Sequence, residues 1–229
     1  MRRVRNAIFD LDGTLIDSLP GIRWSVDAAL RGCGLRQTSG DLRRLIGPPV
    51  RDILAAVSGV RDRNGLDRLE QAFRASYDSE GWRRTVCKPG VPDMLWQLLT
   101  DGLELWVVTN KPALATGKIL RELKIGDFFR EVVCRDSQTP PWASKAEMLM
   151  ELARRQEFDR GECLMIGDTA EDWQAAEAAG IRCAIVPSGY GAGFLPPGCR
   201  RIGGWGELAE MCQTERHPAT REIQPEVNV

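Results

Sequence analysis

Residues 8–18 read Ile8-Phe9-Asp10-Leu11-Asp12-Gly13-Thr14-Leu15-Ile16-Asp17-Ser18. A short apolar segment runs directly into two carboxylates that are one residue apart, and a glycine follows them. Side chains alternate between the two faces of a strand, so Asp10 and Asp12 share a face only while the chain stays extended. Gly13 then allows a tight bend. Open parallel sheets hold their active sites at the C-terminal ends of strands, and hard cations such as Mg²⁺ prefer oxygen ligands. The stretch therefore indicates a metal site at the end of a strand.

The four residues Asp-x-Asp-Gly also allow a simpler interpretation. Acid-rich turns are common, so these residues by themselves favour a strand followed by a solvated turn. A calcium-binding loop that starts at Asp10 is excluded, because Leu15 stands at the sixth position instead of glycine and Gly21 at the twelfth instead of an acid. The choice between a metal site and an acidic turn needs further motifs.

The composition is that of an ordinary globular protein, with 229 residues of which 43% are hydrophobic and 28% charged. The formal net charge of -1 predicts no general attraction to nucleic acid or to an anionic membrane. No long apolar run precedes Asp10, so we expect neither a signal peptide nor a membrane span, and we expect a cytoplasmic location.

Cysteine and histidine offer little chemistry in this chain. The seven cysteines are scattered without a Cys-x-x-Cys spacing, which argues against a disulfide framework and against a zinc site. The only histidine, His217, lies in a polar segment, and we do not expect it to be catalytic. Any hydrolytic chemistry therefore falls to carboxylates and a metal ion.

Strands and helices alternate over most of the chain. Apolar runs predict strands over 4–9, 103–109, 131–134, 162–168 and 182–186, and the segments between them predict helices over 91–100, 113–123, 144–156 and 170–179. This alternation predicts an α/β fold, a Rossmann-like parallel sheet with helices on both faces.

The segment 19–86 differs from the rest, because it contains helical patterns and little that resembles a strand. Apolar residues recur at helical spacing in it, namely Ile22, Val26, Ala29 and Leu30, and again Leu66, Leu69 and Phe73. We predict a helical insertion over 19–86, an α/β core formed by 1–18 and 87–212, and a flexible tail over 213–229.

A second motif is Thr109-Asn110, which ends an apolar strand just before a predicted helix. A hydroxyl group and free backbone N–H groups at the start of a helix can bind phosphate. By itself this motif is weak, since Thr109 or Asn110 can simply cap the helix.

A third motif, Gly167-Asp168-Thr169-Ala170-Glu171-Asp172, again ends an apolar strand in carboxylates. Helix capping explains one such strand. Two strands of one sheet that both end in acid favour a metal site instead. Lys145 stands at the start of a predicted helix, where a cation is unfavourable, and it offers a point charge for phosphate or for the carboxylates.

Together these segments resemble the ordered motif set of the haloacid dehalogenase superfamily, over about residues 4–190. The first motif matches Asp-x-Asp-Gly-Thr-Leu-x-Asp-Ser, and the others correspond to Thr109, Lys145, and Asp168 with Asp172. The resemblance implies a Mg²⁺-dependent mechanism in which Asp10 attacks phosphorus and Asp12 acts as acid and base. It implies that Mg²⁺ binds Asp10, the backbone carbonyl of Asp12, and Asp168. It also implies that phosphate is held by Thr109, Asn110 and Lys145, with Asp172 holding a metal-bound water or Lys145.

The chain is most similar to the phosphoglycolate-phosphatase-like branch, which has a helical cap. Gly47-Pro48-Pro49 is similar to the cap element of that branch that faces the substrate, although it also reads as a rigid turn. Arg51 is a candidate for binding a substrate anion, or else a solvated helix residue. The chain departs from the branch at Lys88-Pro89-Gly90 and before Lys145, which leaves the substrate open.

The leading hypothesis is a phosphatase that acts on a small phosphorylated metabolite such as 2-phosphoglycolate, as a monomer or a homodimer. A phosphosugar mutase of the β-phosphoglucomutase type shares the architecture and both aspartates. A 5′-nucleotidase or pyrophosphatase of the same family is also open. A catalytically silent binding protein is disfavoured because the acid, hydroxyl and lysine set is intact.

Overall fold

A five-stranded parallel sheet lies at the centre of the computed structural model, which describes residues 2–37, 40–191 and 195–213. The strands of the described chain are β1 (Asn6–Phe9), β2 (Ile16–Asp17), β3 (Val86–Cys87), β4 (Glu104–Thr109), β5 (Glu131–Cys134), β6 (Cys163–Gly167) and β7 (Arg182–Ile185). The central sheet has the order β5-β4-β1-β6-β7, and every neighbouring pair is parallel. The short strands β2 and β3 form a separate antiparallel pair. The predicted α/β fold is confirmed.

Helices flank this sheet on both faces. The α-helices of the described chain are α1 (Leu19–Gly32), α2 (Val50–Ser58), α3 (Arg63–Ser79), α4 (Val91–Thr100), α5 (Ala113–Glu122), α6 (Lys145–Arg155), α7 (Ala170–Ala179) and α8 (Trp205–Gln213). Short 3-10 helices occupy Leu42–Leu45, Gly81–Arg84, Gly126–Phe128 and Arg160–Glu162. No helix of the described ranges combines the length and the apolar character that crossing a membrane requires.

Alternate residues of the central strands enter two separate cores. Phe9 and Val107 belong to the larger core on one face, whereas Ile8 and Trp106 belong to the smaller core on the other. Strands buried on both faces read as continuous apolar runs, which is why the sequence predicts them well. The first strand begins at Asn6 rather than at residue 4, because the backbone N–H of Val4 donates to the carbonyl of Cys212 instead of joining the sheet.

The register brings the C-terminal ends of the strands to one edge. Phe9 pairs with Val107 on one side and with Ile166 on the other, so the residue after β1 lies between the ends of β4 and β6. On the far side of β4, Thr109 pairs with Cys134 at the end of β5. Motifs that are more than 150 residues apart in sequence therefore meet at one edge of the sheet.

The chain between β2 and β3 contains helices and no strand among its described residues. Helices α1 and α3 pack against each other there, and the predicted stripe of α1 is buried. On α3, Leu69, Phe73 and Tyr77 are buried. That this insertion forms a distinct cap domain stays a prediction.

Helix α8 was not expected from the sequence. It packs against α4 and buries Leu208 and Cys212, and it ends at Gln213, where the tail was expected to begin. Residues 214–229, including His217, lie outside the described residues.

Candidate active site

Three buried carboxylates meet at the C-terminal edge of the sheet. Asp10 follows β1, Asp168 follows β6, and Asp172 lies in the first turn of α7. Each offers an oxygen, and these oxygens all lie within 4.8 Å of one another. The resemblance implied that Asp172 holds a metal-bound water or Lys145, and its carboxylate also belongs to this group. The side chain of Asp12 lies outside this group of three carboxylates. Only the backbone carbonyl of Asp12 was expected to bind a metal.

Lys145 joins this carboxylate cluster (Asp10, Asp168 and Asp172) through direct contacts. Its Nζ donates to Oδ1 of Asp10 at 2.8 Å and to Oδ1 of Asp172 at 2.6 Å. The lysine side chain is only 2% exposed. Ser144 caps α6 by accepting from the backbone N–H of Glu147, which fixes the start of the helix that carries Lys145.

The electrostatics of the cluster follow from burial and crowding. Burial raises the pKa of Asp10 well above its ordinary value, the ammonium of Lys145 opposes this, and the charges of Asp172 and Asp168 add to it. Burial, together with the charge of Asp172, raises the pKa of Asp168 to about 7. Burial lowers the pKa of Lys145, but the charges of Asp10 and Asp172 outweigh it and hold that pKa well above its ordinary value.

Hydrogen bonds fix the orientation of Asp168 and Asp172. Asp168 accepts from Oγ1 of Thr14 at 3.1 Å and from the backbone N–H of Tyr190 at 2.6 Å. Oδ2 of Asp172 accepts from the backbone N–H of Asp168 at 3.0 Å and from that of Thr169 at 2.9 Å. Thr169 and Asp172 thus form a capping box at the start of α7. Asp172 uses one oxygen for the cap and the other for Lys145, so capping the helix does not prevent its contact with Lys145.

Asp12 has its own basic partner, which the sequence analysis missed. Nζ of Lys111 donates to the two carboxylate oxygens of Asp12 at 2.9 and 3.2 Å, and Ser18 donates its hydroxyl to the same carboxylate. Nζ of Lys111 also lies 4.8 Å from the ring centre of Tyr77 on α3. Burial lowers the pKa of Lys111, but the carboxylate of Asp12 outweighs it, and the pKa is raised. The only signal in the sequence was that Lys111 follows Thr109-Asn110 directly.

Thr109 and Asn110 stand at the end of β4 without capping α5, whose N-cap is Pro112. The buried hydroxyl of Thr109 accepts from the backbone N–H of Lys111 at 3.2 Å. Nδ2 of Asn110 donates to the carbonyl of Gly47 at 3.0 Å and to both carboxylate oxygens of Glu171 at 2.9 Å. Asn110 therefore joins the insertion to the sheet, and its predicted contact with phosphate stays a prediction.

Arg51 points its guanidinium at acids of its own segment. Its Nη1 lies 2.7 Å from Oδ1 of Asp67 and 3.1 Å from Oε2 of Glu70. Its predicted role toward a substrate anion also stays a prediction, and the structure shows that two carboxylates already compensate its charge.

A cavity of about 190 Å³ opens above Asp10 and Asp12. Thr109 and Asn110 line its floor from the sheet, and Gly47-Pro48-Pro49 and Tyr77 line it from the insertion. Lys145 and the other two carboxylates are buried and do not line the cavity. The cavity can receive a small molecule against Asp10, and the carboxylate cluster offers oxygen donors that could bind a metal ion.

Comparison with known proteins gives consistent findings. A family model described as haloacid dehalogenase-like hydrolase matches residues 7–186. Phosphoglycolate phosphatase of Pseudomonas putida is 35% identical to the chain over 198 residues, which is 82% of this chain and 71% of that protein.

Solved structures share the fold. Protein tyrosine kinase A of Mycobacterium tuberculosis is 31% identical with a TM-score of 0.79, over 92% of this chain and 98% of that one. A haloacid dehalogenase-like family hydrolase of Streptococcus pneumoniae has a TM-score of 0.79 at 22% identity, over 92% of this chain and 99% of that one.

Proposed function

The chain belongs to the haloacid dehalogenase-like hydrolase family and is a phosphatase of that family, and we propose that it hydrolyses a small phosphomonoester through a phosphorylated aspartate with Mg²⁺ bound. The observation that carries this proposal is the carboxylate cluster with Lys145. Three carboxylates and one ammonium give the cluster a formal charge of -2. Buried charge of this kind is costly unless it is compensated.

The cluster fits a divalent cation. Its donors are hard oxygens, and its net charge balances that of one Mg²⁺. Asp10, Asp168 and the backbone carbonyl of Asp12 would hold the ion, and Asp172 would hold Lys145 or a metal-bound water. When bound, Mg²⁺ compensates charge and orients the phosphoryl group.

Asp10 is the proposed nucleophile. Lys145 holds its Oδ1 at 2.8 Å, so we assign the attack to Oδ2. This oxygen forms a bond to phosphorus while the bond from phosphorus to the leaving oxygen breaks, which produces an aspartyl phosphate. Thr109, with the neighbouring Asn110, and Lys145 would bind oxygens of the phosphoryl group. Thr109 ends β4, the strand next to β1, and Lys145 contacts Asp10 directly.

Asp12 is the proposed acid and base. It gives a proton to the leaving oxygen in the first step and takes one from the attacking water in the second. That water cleaves the aspartyl phosphate, which releases inorganic phosphate and restores the Asp10 carboxylate. Lys111 and Ser18 orient the Asp12 side chain for both transfers.

The helical insertion is proposed to act as a cap over 19–86. Gly47-Pro48-Pro49 and Tyr77 line the cavity from that side. A closed cap excludes water and selects the leaving group. The phosphoglycolate phosphatases among the relatives support 2-phosphoglycolate as the first substrate to test.

The test is release of inorganic phosphate from a panel of phosphomonoesters, with Mg²⁺ or with a chelator. We expect saturable hydrolysis that requires Mg²⁺ and disappears in Asp10→Asn. Asp127→Asn is the matched control, because this carboxylate is exposed and lies outside the cavity. Absence of phosphate release from every ester would overturn the proposal, and conversion of a sugar phosphate to its isomer without release would favour the mutase.

A covalent readout tests the mechanism separately from the substrate. Protein quenched in acid during turnover with a ³²P-labelled ester should carry label, and Asp10→Asn should not. Label that persists in Asp10→Asn would assign the attack to another group.

A further inference from the structure

Arg135 is a cavity residue to which the proposed mechanism gives no role. It directly follows β5, whose last residue, Cys134, pairs with Thr109. The register therefore places Arg135 beside Asn110 at the C-terminal edge of the sheet. It is half-buried and lines the same cavity as Asp10 and Asp12.

The turn that carries Arg135 is held by hydrogen bonds on both sides. The carbonyl of Arg135 accepts from the backbone N–H of Trp142 at 3.0 Å. The hydroxyl of Ser137 accepts from the backbone N–H of Cys134 at 2.7 Å. Nη1 of Arg135 donates to Oδ1 of Asn110 at 3.3 Å, and Asn110 is itself fixed by Gly47 and Glu171. The position of the guanidinium is therefore set by the fold.

The charge of Arg135 differs from that of the other cations that line the cavity. Those three have carboxylate partners within 3.0 Å: Arg51 with Asp67, Arg74 with Glu70, and Lys111 with Asp12. Arg135 has no carboxylate oxygen within 4.0 Å among the described residues. Asp136, although adjacent in sequence, turns its Oδ1 to the backbone N–H of Ala113 at 2.7 Å. Within the described part of the chain, the guanidinium of Arg135 hydrogen-bonds only to a neutral amide, so its charge is available to a ligand in the cavity.

The distance from the nucleophile indicates which part of the substrate Arg135 can meet. In the sheet order, β4 lies between β5 and β1, and neighbouring strands are about 4.8 Å apart. Arg135 therefore starts about two strand spacings, roughly 10 Å, from the strand that carries Asp10. Thr109 and Lys145 lie nearer to Asp10 and are the proposed partners of the transferred phosphoryl group. Arg135 starts farther from Asp10 and can therefore contact a second group on the substrate.

Resting on the proposed function, we propose that Arg135 determines substrate specificity by binding an anionic group on the leaving-group side of the phosphomonoester. A guanidinium offers parallel N–H donors that match the two oxygens of a carboxylate or of a second phosphoryl group. Such a ligand compensates the one cavity cation that lacks an acidic partner among the described residues.

The test compares substrates that differ only in that second group. The carboxylate arm is 2-phosphoglycolate against 2-hydroxyethyl phosphate, and the second-phosphoryl arm is glucose 1,6-bisphosphate against glucose 6-phosphate. We expect the wild-type protein to favour the anionic member of at least one pair in kcat/KM. Arg135→Met should lower kcat/KM for that member by at least about tenfold, mainly through KM. It should change kcat/KM for the member without the second anionic group by less than about twofold. Arg135→Lys should fall between the two, because it keeps the charge but loses the planar fork.

Arg130→Met is the control for a lost arginine next to the same strand. Arg130 precedes β5 at its opposite end, and its Nη2 lies 3.1 Å from Oε1 of Glu104, far from the cavity. Its kinetics should match those of the wild type. Two results would overturn the role of Arg135 without touching the phosphatase activity. One is an equal loss of kcat/KM for both members of a pair in Arg135→Met, and the other is a wild-type protein that does not prefer the anionic member of either pair. Absence of phosphate release from any ester by the wild type would instead overturn the proposed function.

Discussion

Lys145→Met should destabilise the metal-free protein more than most single substitutions do. Methionine fills a similar volume but leaves the carboxylates of Asp10 and Asp172 without the ammonium that lies 2.8 and 2.6 Å from them. The lysine side chain is 2% exposed, so water cannot take its place without rearrangement.

The expected loss can be converted to a melting temperature. Removing one partner of a buried ion pair costs about 3–5 kcal/mol. For a chain of this size, each kcal/mol shifts the melting temperature by about 2–4 °C. With a chelator present, we therefore expect Lys145→Met to melt roughly 6–20 °C below the wild type.

Mg²⁺ should recover part of this loss. Without the lysine the cluster holds three carboxylates and no cation, so a divalent ion relieves more repulsion in the variant than in the wild type. At a Mg²⁺ concentration about 100 times the dissociation constant, binding contributes about 2.7 kcal/mol. The melting temperature of the variant should then rise by roughly 5–11 °C, and by less in the wild type.

The assay is thermal unfolding followed by circular dichroism, with a chelator and with Mg²⁺. Arg154→Met is the control on the same helix, because Arg154 is 72% exposed and forms only a surface pair with Glu151, worth about 0–1 kcal/mol. If Lys145→Met melted no lower than Arg154→Met, or if Mg²⁺ raised both variants equally, the cluster would not be the charged, ion-compensated unit described above.

Three further outcomes are expected. Asp12→Asn should lower kcat for an alkyl phosphate by about 10²–10⁴-fold in a phosphate-release assay, and an unchanged kcat would exclude its acid–base role. Gly189→Ala should weaken Mg²⁺-induced thermal stabilisation, because an added Cβ would overlap the Asp168 side chain, whereas Gly204→Ala, with open space around it, should not. In chelator, the free energy of unfolding should fall as the pH rises from about 4 to about 7. The pKa of Asp168 is about 7 in the folded protein against an ordinary 3.8, so the folded state binds this proton more tightly than the unfolded state does. The stabilisation that this proton provides at low pH is therefore lost as the pH rises. Melting temperatures across this range that stay flat in chelator would contradict that pKa.

The sequence predicts the sheet and its acidic edge because both depend on local pattern. Apolar runs indicate strands buried on both faces, and parallel strands end at a common edge. Asp10 and Asp168 could therefore be placed together although 158 positions separate them. The helical pattern predicted a helix over 144–156 with Lys145 at its start, and the family resemblance linked Lys145 to the acids.

The features of the site that the sequence did not predict depend on contacts between segments that are far apart in the chain. Lys111 meets Asp12 across 99 residues, and Asn110 meets Gly47 across 63. No periodicity carries such information. Asn110 was predicted as a phosphate ligand from its position at the strand end, but the sequence did not predict that its amide also donates to Gly47 and Glu171. Arg135 passed unnoticed because nothing in its neighbourhood shows that it lacks an acidic partner.

The different surroundings of Asp10 and Asp12 argue for different roles, although only one residue separates them. Asp10 is 6% exposed, and its Oδ1 meets Lys145 inside the carboxylate cluster, where an ion and a fixed ammonium can hold it as a carboxylate. Asp12 is 15% exposed and faces Lys111 and a hydroxyl in the cavity, where a leaving oxygen or a water can exchange a proton with it. Carboxylates in contrasting environments divide nucleophilic and acid–base work between them. A separate lysine contacts each of the two aspartates. The bend at Gly13 directly after them leads to Thr14, whose hydroxyl donates to Asp168.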